Sequence, residues 1–216
     1  MKEKAVCPIC EVRAPRRHCP SQREEICAIC CGEGREETID CPLDCEFLRE
    51  ARLHEKLPPF DPKTLPHPEI QLTDEFMNRH QELAVVIGRL LLVATLNTPG
   101  AVDLDMRDTL DALVRTYKSA VNGLIYETRP DNMIAAAVQD RFQQELTQFR
   151  QMVAERQNGI TIPDKELLGV LAFWQRMEYQ RNNGRRKGRA FIESLYAIMP
   201  PPEETEAASG GIVTAG

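Results

Sequence analysis

The sequence contains no long hydrophobic run. Its most apolar stretch, residues 83–96, includes Gly88 and Arg89 and is shorter than the roughly 20 residues that a membrane-spanning helix needs. The residues before Cys7 carry charges and lack the apolar segment of a secretory signal. We therefore expect no membrane span and a cytoplasmic location, where cysteines stay reduced.

The sequence also lacks an excess of positive charge and is poor in aromatic residues. Lysines and arginines number 27 against 33 aspartates and glutamates, the net charge is -6, and aromatic residues make up 6% of the chain. A negatively charged protein is not attracted as a whole to a polyanion, and few rings are free to stack on bases. This composition disfavours a protein that coats nucleic acid, although a local basic patch could still bind one.

Common catalytic motifs are missing as well. The chain has no phosphate-binding GxxxxGK[ST] loop, no paired ExxH spacing of a di-iron bundle and no evident nucleophile beside a base. The sequence therefore predicts a non-enzymatic protein with no evident small-molecule substrate. Four aspartates crowd the start of the predicted second helix, where acids suit the helix dipole and a metal site is the less favoured interpretation: Asp103, Asp105, Asp108 and Asp111.

What the sequence does contain is a dense cluster of cysteines. All eight lie between Cys7 and Cys45, in a segment with too few large apolar residues to fold by burial alone. In a reducing compartment such spacing is typical of metal binding, and a CxxC turn brings two thiolates to one zinc ion. The pattern comprises two CxxC pairs, one looser pair and two single cysteines: Cys7 with Cys10, Cys27 with Cys30, Cys41 with Cys45, and Cys19 and Cys31.

Eight thiolates divide into two closed four-ligand sites. Because neighbouring side chains point in different directions, we expect the adjacent Cys30 and Cys31 to serve different ions. The predicted arrangement is interleaved and has two structural zinc ions, one held by Cys7, Cys10, Cys27 and Cys30 and the other by Cys19, Cys31, Cys41 and Cys45. Four thiolates leave no open position for catalysis. A sequential pairing, a histidine ligand at His18 or His54, one zinc with spare thiols, and iron–sulfur or redox chemistry remain alternatives.

Residues 27–52 contain the run CxxCCGxxRE followed by TIDCPxDCxFLxxAR. This run resembles a cysteine-rich N-terminal module of otherwise uncharacterised bacterial proteins. Its ligand layout is also similar to the double-zinc cross-brace fingers of the B-box and HIT kind, although it lacks their histidine ligands and their spacings. The resemblance covers about a quarter of the chain. It implies metal binding and supplies neither an activity nor a partner.

The sequence after the cysteine segment predicts a proline-rich linker followed by helices. Prolines in residues 57–72 exclude a regular helix and favour a stiff linker or strap, and Thr73 is a plausible helix N-cap. Apolar residues then repeat at three or four in five predicted helices: from Thr73 to Asn97, from about 104 to 127, from about 130 to 158, from 163 to 182, and from 190 to 199. Within the cysteine segment, residues 38–39 could form a strand, and a helix from Asp44 would place Cys45 in its first turn.

These patterns predict a mainly α protein with four parts. Residues 1–56 form a small double-zinc finger module, and residues 57–72 form the proline-rich linker. Residues 73–199 form an antiparallel helical bundle of four to five helices, and residues 200–216 form a disordered tail. The sequence does not indicate the oligomeric state.

Five cations lie between the fourth and fifth predicted helices, within residues 181–189, which we call the basic turn: Arg181, Arg185, Arg186, Lys187 and Arg189. Cations at the start of a helix oppose its dipole, so an anion could complete the site. The alternative is a solvated loop paired with acids of the cysteine module. Because the protein is acidic, we predict an adaptor that binds a protein partner; RNA binding through the basic turn is the alternative. An enzyme with a deep pocket between finger and bundle is a third interpretation.

Overall fold

The computed structural model describes residues 5–56, 59, 61–156, 158–159 and 161–200. A small N-terminal module precedes a set of packed helices, so the predicted mainly α fold with a small N-terminal module is confirmed. The module consists of strands β1 (Arg17–Cys19) and β2 (Glu24–Ile26) and helices α1 (Ala28–Gly34) and α2 (Glu46–Arg52). The two strands form an antiparallel hairpin in which Arg17 lies opposite Ile26.

The prediction of a strand at residues 38–39 is wrong. Ile39 forms only an isolated bridge with Arg35, because the chain turns sharply after α1. The backbone N–H groups of residues 37, 38 and 39 all donate to the carbonyl oxygen of Gly34, and Glu36 adopts a left-handed conformation with φ of 54°. At the other end of this loop, Cys45 is the N-cap of α2 rather than a residue of its first turn.

The remaining chain forms six α-helices and one short 3-10 turn within the described residues. They are the 3-10 turn Pro62–Thr64, α3 (Asp74–Arg79), α4 (Gln81–Leu96), α5 (Asp103–Val121), α6 (Met133–Arg156), α7 (Asp164–Arg181) and α8 (Ala190–Ile198). Helix α5 packs against α6 and α7, and α4 packs against α6, α7 and α8. None of the helices in the described ranges has the length and apolar character needed to cross a membrane.

Two helix boundaries differ from the sequence prediction. The first predicted helix is broken at His80, whose backbone φ is -109° and whose Nδ1 lies 2.8 Å from the carbonyl oxygen of Phe76. The second helix ends at Val121 instead of residue 127. Gly123 has φ of 78°, and the N–H groups of Gly123 and Leu124 donate to the carbonyls of residues 120 and 119. This is the Schellman arrangement, which ends a helix at a glycine.

The other three helices begin and end close to where the sequence placed them. Asn132 caps α6 by accepting a hydrogen bond from the Ile134 N–H at 2.9 Å. At the far end of α6, Asn158 and Gly159 both have positive φ values. Pro163 precedes α7, and α8 ends at Ile198, one residue before the predicted position.

Several side chains of the bundle hold the proline-rich segment: Lys118 pairs with Glu69, and Asp111 lies 3.8 Å from His67 Nε2. Arg176 of α7 donates to the carbonyl oxygens of Pro66, His67 and Ile70, at 3.4, 2.6 and 2.8 Å. As expected from its prolines, the described part of residues 57–72 contains no α-helix. The predicted disordered tail lies outside the described residues, apart from Pro200.

Candidate metal centre

The structure brings four cysteine sulfurs together at the tip of the module. The Sγ atoms of Cys7, Cys10, Cys27 and Cys30 all lie within 4.8 Å of one another, and the Cys10 and Cys27 sulfurs are 3.9 Å apart. Four thiolates around a zinc ion, with Zn–S bonds of about 2.3 Å, lie about 3.8 Å from one another. The group is therefore close to the spacing that a tetrahedral metal ion requires.

Two tight turns of the backbone aim these sulfurs at one point. In the first turn, the Glu11 N–H donates to the Cys7 carbonyl at 2.8 Å, and the Cys7 N–H donates to the Arg13 carbonyl at 2.8 Å. Glu11 takes a left-handed conformation to close this turn. In the second turn, Cys27 is the N-cap of α1 and its sulfur accepts the Cys30 N–H at 3.3 Å. Both turns are CxxC loops, as the spacing predicts.

The surroundings of the group shift the pKa values of three of its thiols, two downward and one upward. Backbone N–H groups of Arg13 and Val12 lower the pKa of Cys10 to about 6. Burial, reinforced by the neighbouring sulfurs, raises the pKa of Cys30 to about 12. Burial also acts to raise the pKa of Cys7, but backbone hydrogen bonds from Cys27 and other residues lower it overall. Four thiolates at this distance repel one another, so a bound cation is needed before all four lose their protons.

The other four cysteines lie in the same module but are not gathered in the same way. Among the described residues, the structure places no second set of three or more ligand atoms at metal-binding distance. Cys19, Cys41 and Cys45 are buried in the module core, and burial raises the pKa of Cys41, with the charges of Cys45, Glu36 and Cys19 adding to the effect. Cys31 is half-buried and accepts a hydrogen bond from Arg17 Nη1 at 3.6 Å.

Neither histidine that the sequence offered as a ligand joins the four-cysteine group. His18 lies on the exposed face of β1, and His54 is exposed after α2. The first site therefore consists of thiolates alone.

Sequence reasoning missed the residue that ties the module to the bundle. Glu36 is completely buried. Its carboxylate pairs with Arg52 and accepts hydrogen bonds from Asn183 Nδ2 at 2.8 Å and from the Arg189 N–H at 2.9 Å. Its backbone carbonyl accepts the Lys187 N–H at 2.6 Å. Before the structure, only the position of Glu36 in the CxxCCGxxRE run set it apart from the other acids.

Arg52 completes this buried charge cluster. It donates to Glu36 and also to Glu55 at 2.5 Å and Glu193 at 2.9 Å. Burial acts to lower the pKa of Arg52, but its hydrogen bonds to Glu36 and Glu193 raise it above its ordinary value. Because Glu193 belongs to α8, this arginine joins α2 of the module directly to the bundle.

Three of the five cations in the basic turn point at the module. Arg185 Nη1 donates to the Arg35 carbonyl at 2.6 Å, and Lys187 Nζ donates to the Thr38 carbonyl at 3.2 Å. Arg189 pairs with Asp40 and donates to the Cys41 carbonyl at 3.2 Å. The other two cations, Arg181 and Arg186, are exposed. Three of the cations therefore bind acceptors of the module, where the sequence analysis expected an external anion.

The aspartates at the start of α5 act mainly within the fold. Asp103 accepts the Phe191 and Ile192 N–H groups at 2.9 and 3.1 Å and thereby caps α8. Burial raises the pKa of Asp103 to about 6, although these two hydrogen bonds act to lower it. Asp105 accepts the Val102 N–H at 2.8 Å and Asn132 Nδ2 at 2.6 Å. Within the described ranges these aspartates form no metal-ligand group.

A cleft of about 730 Å³ lies between the module and the bundle. On the module side it is lined by Asp40, Pro42, Leu43, Asp44 and Arg49. On the bundle side it is lined by the end of α4 with the turn that follows, by Arg189 and by α8. Within its walls Asp40 is paired with Arg189, and Glu193 is paired with Arg52. The contact between module and bundle therefore leaves an open cleft, but Asp40, Arg189 and Glu193 in its walls already have ion-pair partners. The prediction that the protein is not an enzyme stays a prediction.

The chain matches no known protein family, no curated protein and no solved structure.

Proposed function

We propose that the four-cysteine group holds a structural zinc ion and that the protein is a non-enzymatic adaptor whose module recognises another protein. The mutual approach of the Cys7, Cys10, Cys27 and Cys30 sulfurs within 4.8 Å carries the proposal. Thiolates are ligands that zinc prefers, and four of them fill its coordination shell. Such a site has no open position for water or substrate, so its role is to hold the module together.

The composition of the module core supports a structural role for the metal. Nine residues form this core, and six of them are cysteines; the other three are Ile26, Ile39 and Leu48. Three large apolar side chains are too few to stabilise a segment of this length. Structural zinc contributes about 10 to 16 kcal/mol of apparent binding free energy in small finger peptides, which is enough to offset the missing apolar core.

The outer surface of the two CxxC loops supports a protein partner. The sulfurs turn toward one point, and the intervening side chains face solvent: Ile9 is 48% exposed and Ile29 is 46% exposed. These two isoleucines hold the same position in the two loops. Val6 and Val12, on either side of the first loop, are also exposed. Exposed aliphatic side chains on a rigid loop fit an apolar surface of a partner protein better than a phosphate backbone.

The second zinc ion, in Cys19, Cys31, Cys41 and Cys45, remains part of the proposal. Its support is that Cys19, Cys41 and Cys45 share the module core and that the charges of Cys45 and Cys19 act on Cys41. Binding there would require these sulfurs to approach one another more closely. The metal content of the protein distinguishes one ion from two.

Metal analysis of the full chain tests the zinc proposal. We expect at least one zinc per chain in the purified protein and the loss of one ion in a Cys10→Ser variant. A Cys45→Ser variant loses an ion only if the second site exists, so it separates the two counts. A folded, zinc-free wild-type protein would contradict the proposal.

Partner capture with matched variants tests the adaptor proposal. A partner that binds the CxxC loops should be captured from native cells by the wild type and lost with Ile9→Ser and Ile29→Ser. Val85, in α4, is 47% exposed and thus matches these isoleucines in exposure. Val85→Ser should keep the partner. Capture that is indifferent to both loop variants would exclude the proposed surface.

A further inference from the structure

We propose that the module covers a nucleic-acid-binding surface, the basic turn, and that loss of the metal uncovers it. The partner chemistry is the phosphodiester backbone, which single-stranded RNA and duplex DNA share. The proposal rests on the zinc-holding part of the proposed function and does not depend on the protein partner.

The first step is that three of the five cations bind one short segment of the module. Residues 35–41 supply every module acceptor described for the side chains of Arg185, Lys187 and Arg189, apart from a 3.8 Å approach of Arg185 to Glu55. The Arg189 side chain is 12% exposed as a result. If the segment moved away, these three cations would lose its acceptors, and Arg189 would keep only its Nε hydrogen bond to the Ala101 carbonyl at 3.1 Å among the described contacts.

The second step is that this segment depends on the metal. It follows α1 directly. Cys27 is the N-cap of α1 and Cys30 lies within it, and both belong to the four-cysteine group. Ile39 and Cys41, inside the segment, belong to the module core. Because that core consists mostly of cysteines, loss of the metal unfolds it. The acceptors of the basic turn then lose their fixed positions.

The third step is that the basic turn itself stays in place. It connects α7 to α8, and both helices contribute to the large core of the bundle. Asp103 of α5 holds the start of α8 through two backbone hydrogen bonds, and the Asp103 N–H donates to the Gly188 carbonyl at 2.8 Å. These contacts involve only the bundle, and they remain when the Lys187 and Arg189 N–H groups lose their hydrogen bonds to Glu36. The uncovered cations would therefore remain clustered on a folded scaffold.

The uncovered turn has the chemistry of a phosphate-binding loop. Five cations within nine residues attract a polyanion locally even though the whole chain carries a net charge of -6. Gly184, with φ of 71°, bends the chain where a side chain would be strained. No aromatic side chain lies within residues 181–189, so binding would depend on phosphate contacts and would show little sequence preference.

The experiment compares the zinc-loaded full chain with the same protein treated with a chelator and a reductant. Fluorescence anisotropy measures binding to a labelled mixed-sequence single-stranded RNA and to a labelled DNA duplex, and metal analysis is made on each sample. We expect the metal-free protein to bind RNA on the order of tenfold more tightly at low salt. Each phosphate contact steepens the fall of log affinity with log salt concentration by about 0.7 for a single strand. Three added contacts therefore predict that a fourfold rise in salt weakens RNA binding by the metal-free protein about 20-fold more than binding by the zinc-loaded protein.

Two sets of variants assign the effect to the basic turn. The triple variant Arg185→Ser, Lys187→Ser, Arg189→Ser should lose the gain in RNA affinity. A charge-matched control removes three exposed arginines elsewhere on the bundle and should keep the gain: Arg79→Ser, Arg115→Ser, Arg141→Ser. Glu36→Ala removes the buried carboxylate that ties the module to the turn while leaving all four cysteines. It should bind RNA more tightly than the wild type even with zinc bound.

The possible failures are distinguishable. A wild-type protein that purifies folded and zinc-free overturns the zinc proposal, and metal analysis alone shows it. A protein that binds zinc, and gains no RNA or DNA affinity when the zinc is removed, overturns only the covered surface. A gain that persists in the basic-turn triple variant also overturns it, because the affinity would then arise elsewhere in the unfolded module.

Discussion

The cores of the module and of the bundle differ in amino-acid composition. Among the described residues, nine form the module core and six of them are cysteines. The bundle core has 22 described residues, all hydrophobic and none a cysteine. Apolar burial stabilises the bundle without any ligand. The module has too little apolar area for this, and under the proposed zinc binding its folding depends on the metal. The proposal therefore predicts one part whose folding is conditional and one part whose folding is not.

The contact between these two parts is polar. Glu36 and Arg52 of the module meet Asn183, Arg189 and Glu193 of the bundle in a partly buried network. Such networks stabilise a contact only while every member is present, because removing one leaves another charge unpaired. The association of module and bundle is therefore more sensitive to single changes than either core.

Removal of the metal should give the largest effect and should separate the two parts. We expect chelation to unfold residues 5–56 and to leave α4 to α8 folded, because zinc contributes about 10 kcal/mol or more to a module of this kind. Hydrogen exchange measured by mass spectrometry, with and without chelator, checks this region by region. Equal protection of the module in both samples would show that it does not need the metal.

Loss of the buried carboxylate at Glu36 should have the next largest effect. Glu36→Ala leaves the partly buried Arg52 with Glu55 and Glu193 as partners, and it removes an acceptor from Asn183 Nδ2 and from the Arg189 N–H. Loss of these hydrogen bonds should cost about 2 to 3 kcal/mol. Chemical denaturation should show a less stable module and an unchanged bundle. Glu55 is a partly exposed partner of the same arginine, so Glu55→Ala is the matched control and should cost about 1 kcal/mol or less. Similar losses for both variants would remove the special role of Glu36.

The sequence predicts the four-cysteine group better than the contact between the parts. The two CxxC spacings are local, so they bring Cys7 to Cys10 and Cys27 to Cys30 whatever the rest of the chain does. Glu36 and its partner Asn183 are separated by 147 positions, and no periodicity or motif links such distant residues. The hairpin of β1 and β2 was missed because its strands have only three residues each. Apolar periodicity placed most helices correctly, but it did not reveal the break at His80.

The bundle should be more stable at mildly acidic pH because of Asp103. Burial raises the folded-state pKa of Asp103 to about 6, above the ordinary aspartate value of 3.8. Between these values the folded protein binds more protons than the unfolded chain, so stability falls as pH rises. The contribution is present in full below about pH 4 and lost above about pH 6, and it amounts to about 3 kcal/mol at most.

Urea unfolding of the bundle at several pH values measures this effect. Asp103→Asn cannot ionise, so its stability should vary less over this pH range than that of the wild type. The amide oxygen still accepts a backbone hydrogen bond, and the variant should lose only about 1 kcal/mol from the weaker cap. Identical pH profiles for the two proteins would show that Asp103 does not titrate as its burial indicates.

Substitution of two glycines by alanine, one in each part, should give the smallest effect and tests the backbone conformation at each position. A Cβ added to Gly123 in the bundle or to Gly32 in the module meets no atom within 4 Å, so neither substitution creates a clash. Gly123 has φ of 78° and closes α5, whereas Gly32 lies inside α1. Gly123→Ala should therefore destabilise the bundle by about 1 to 2 kcal/mol. Gly32→Ala should instead stabilise the zinc-bound module by up to about 1 kcal/mol. Thermal unfolding with zinc present checks both signs, and a shared sign would mean that helix geometry does not decide the outcome.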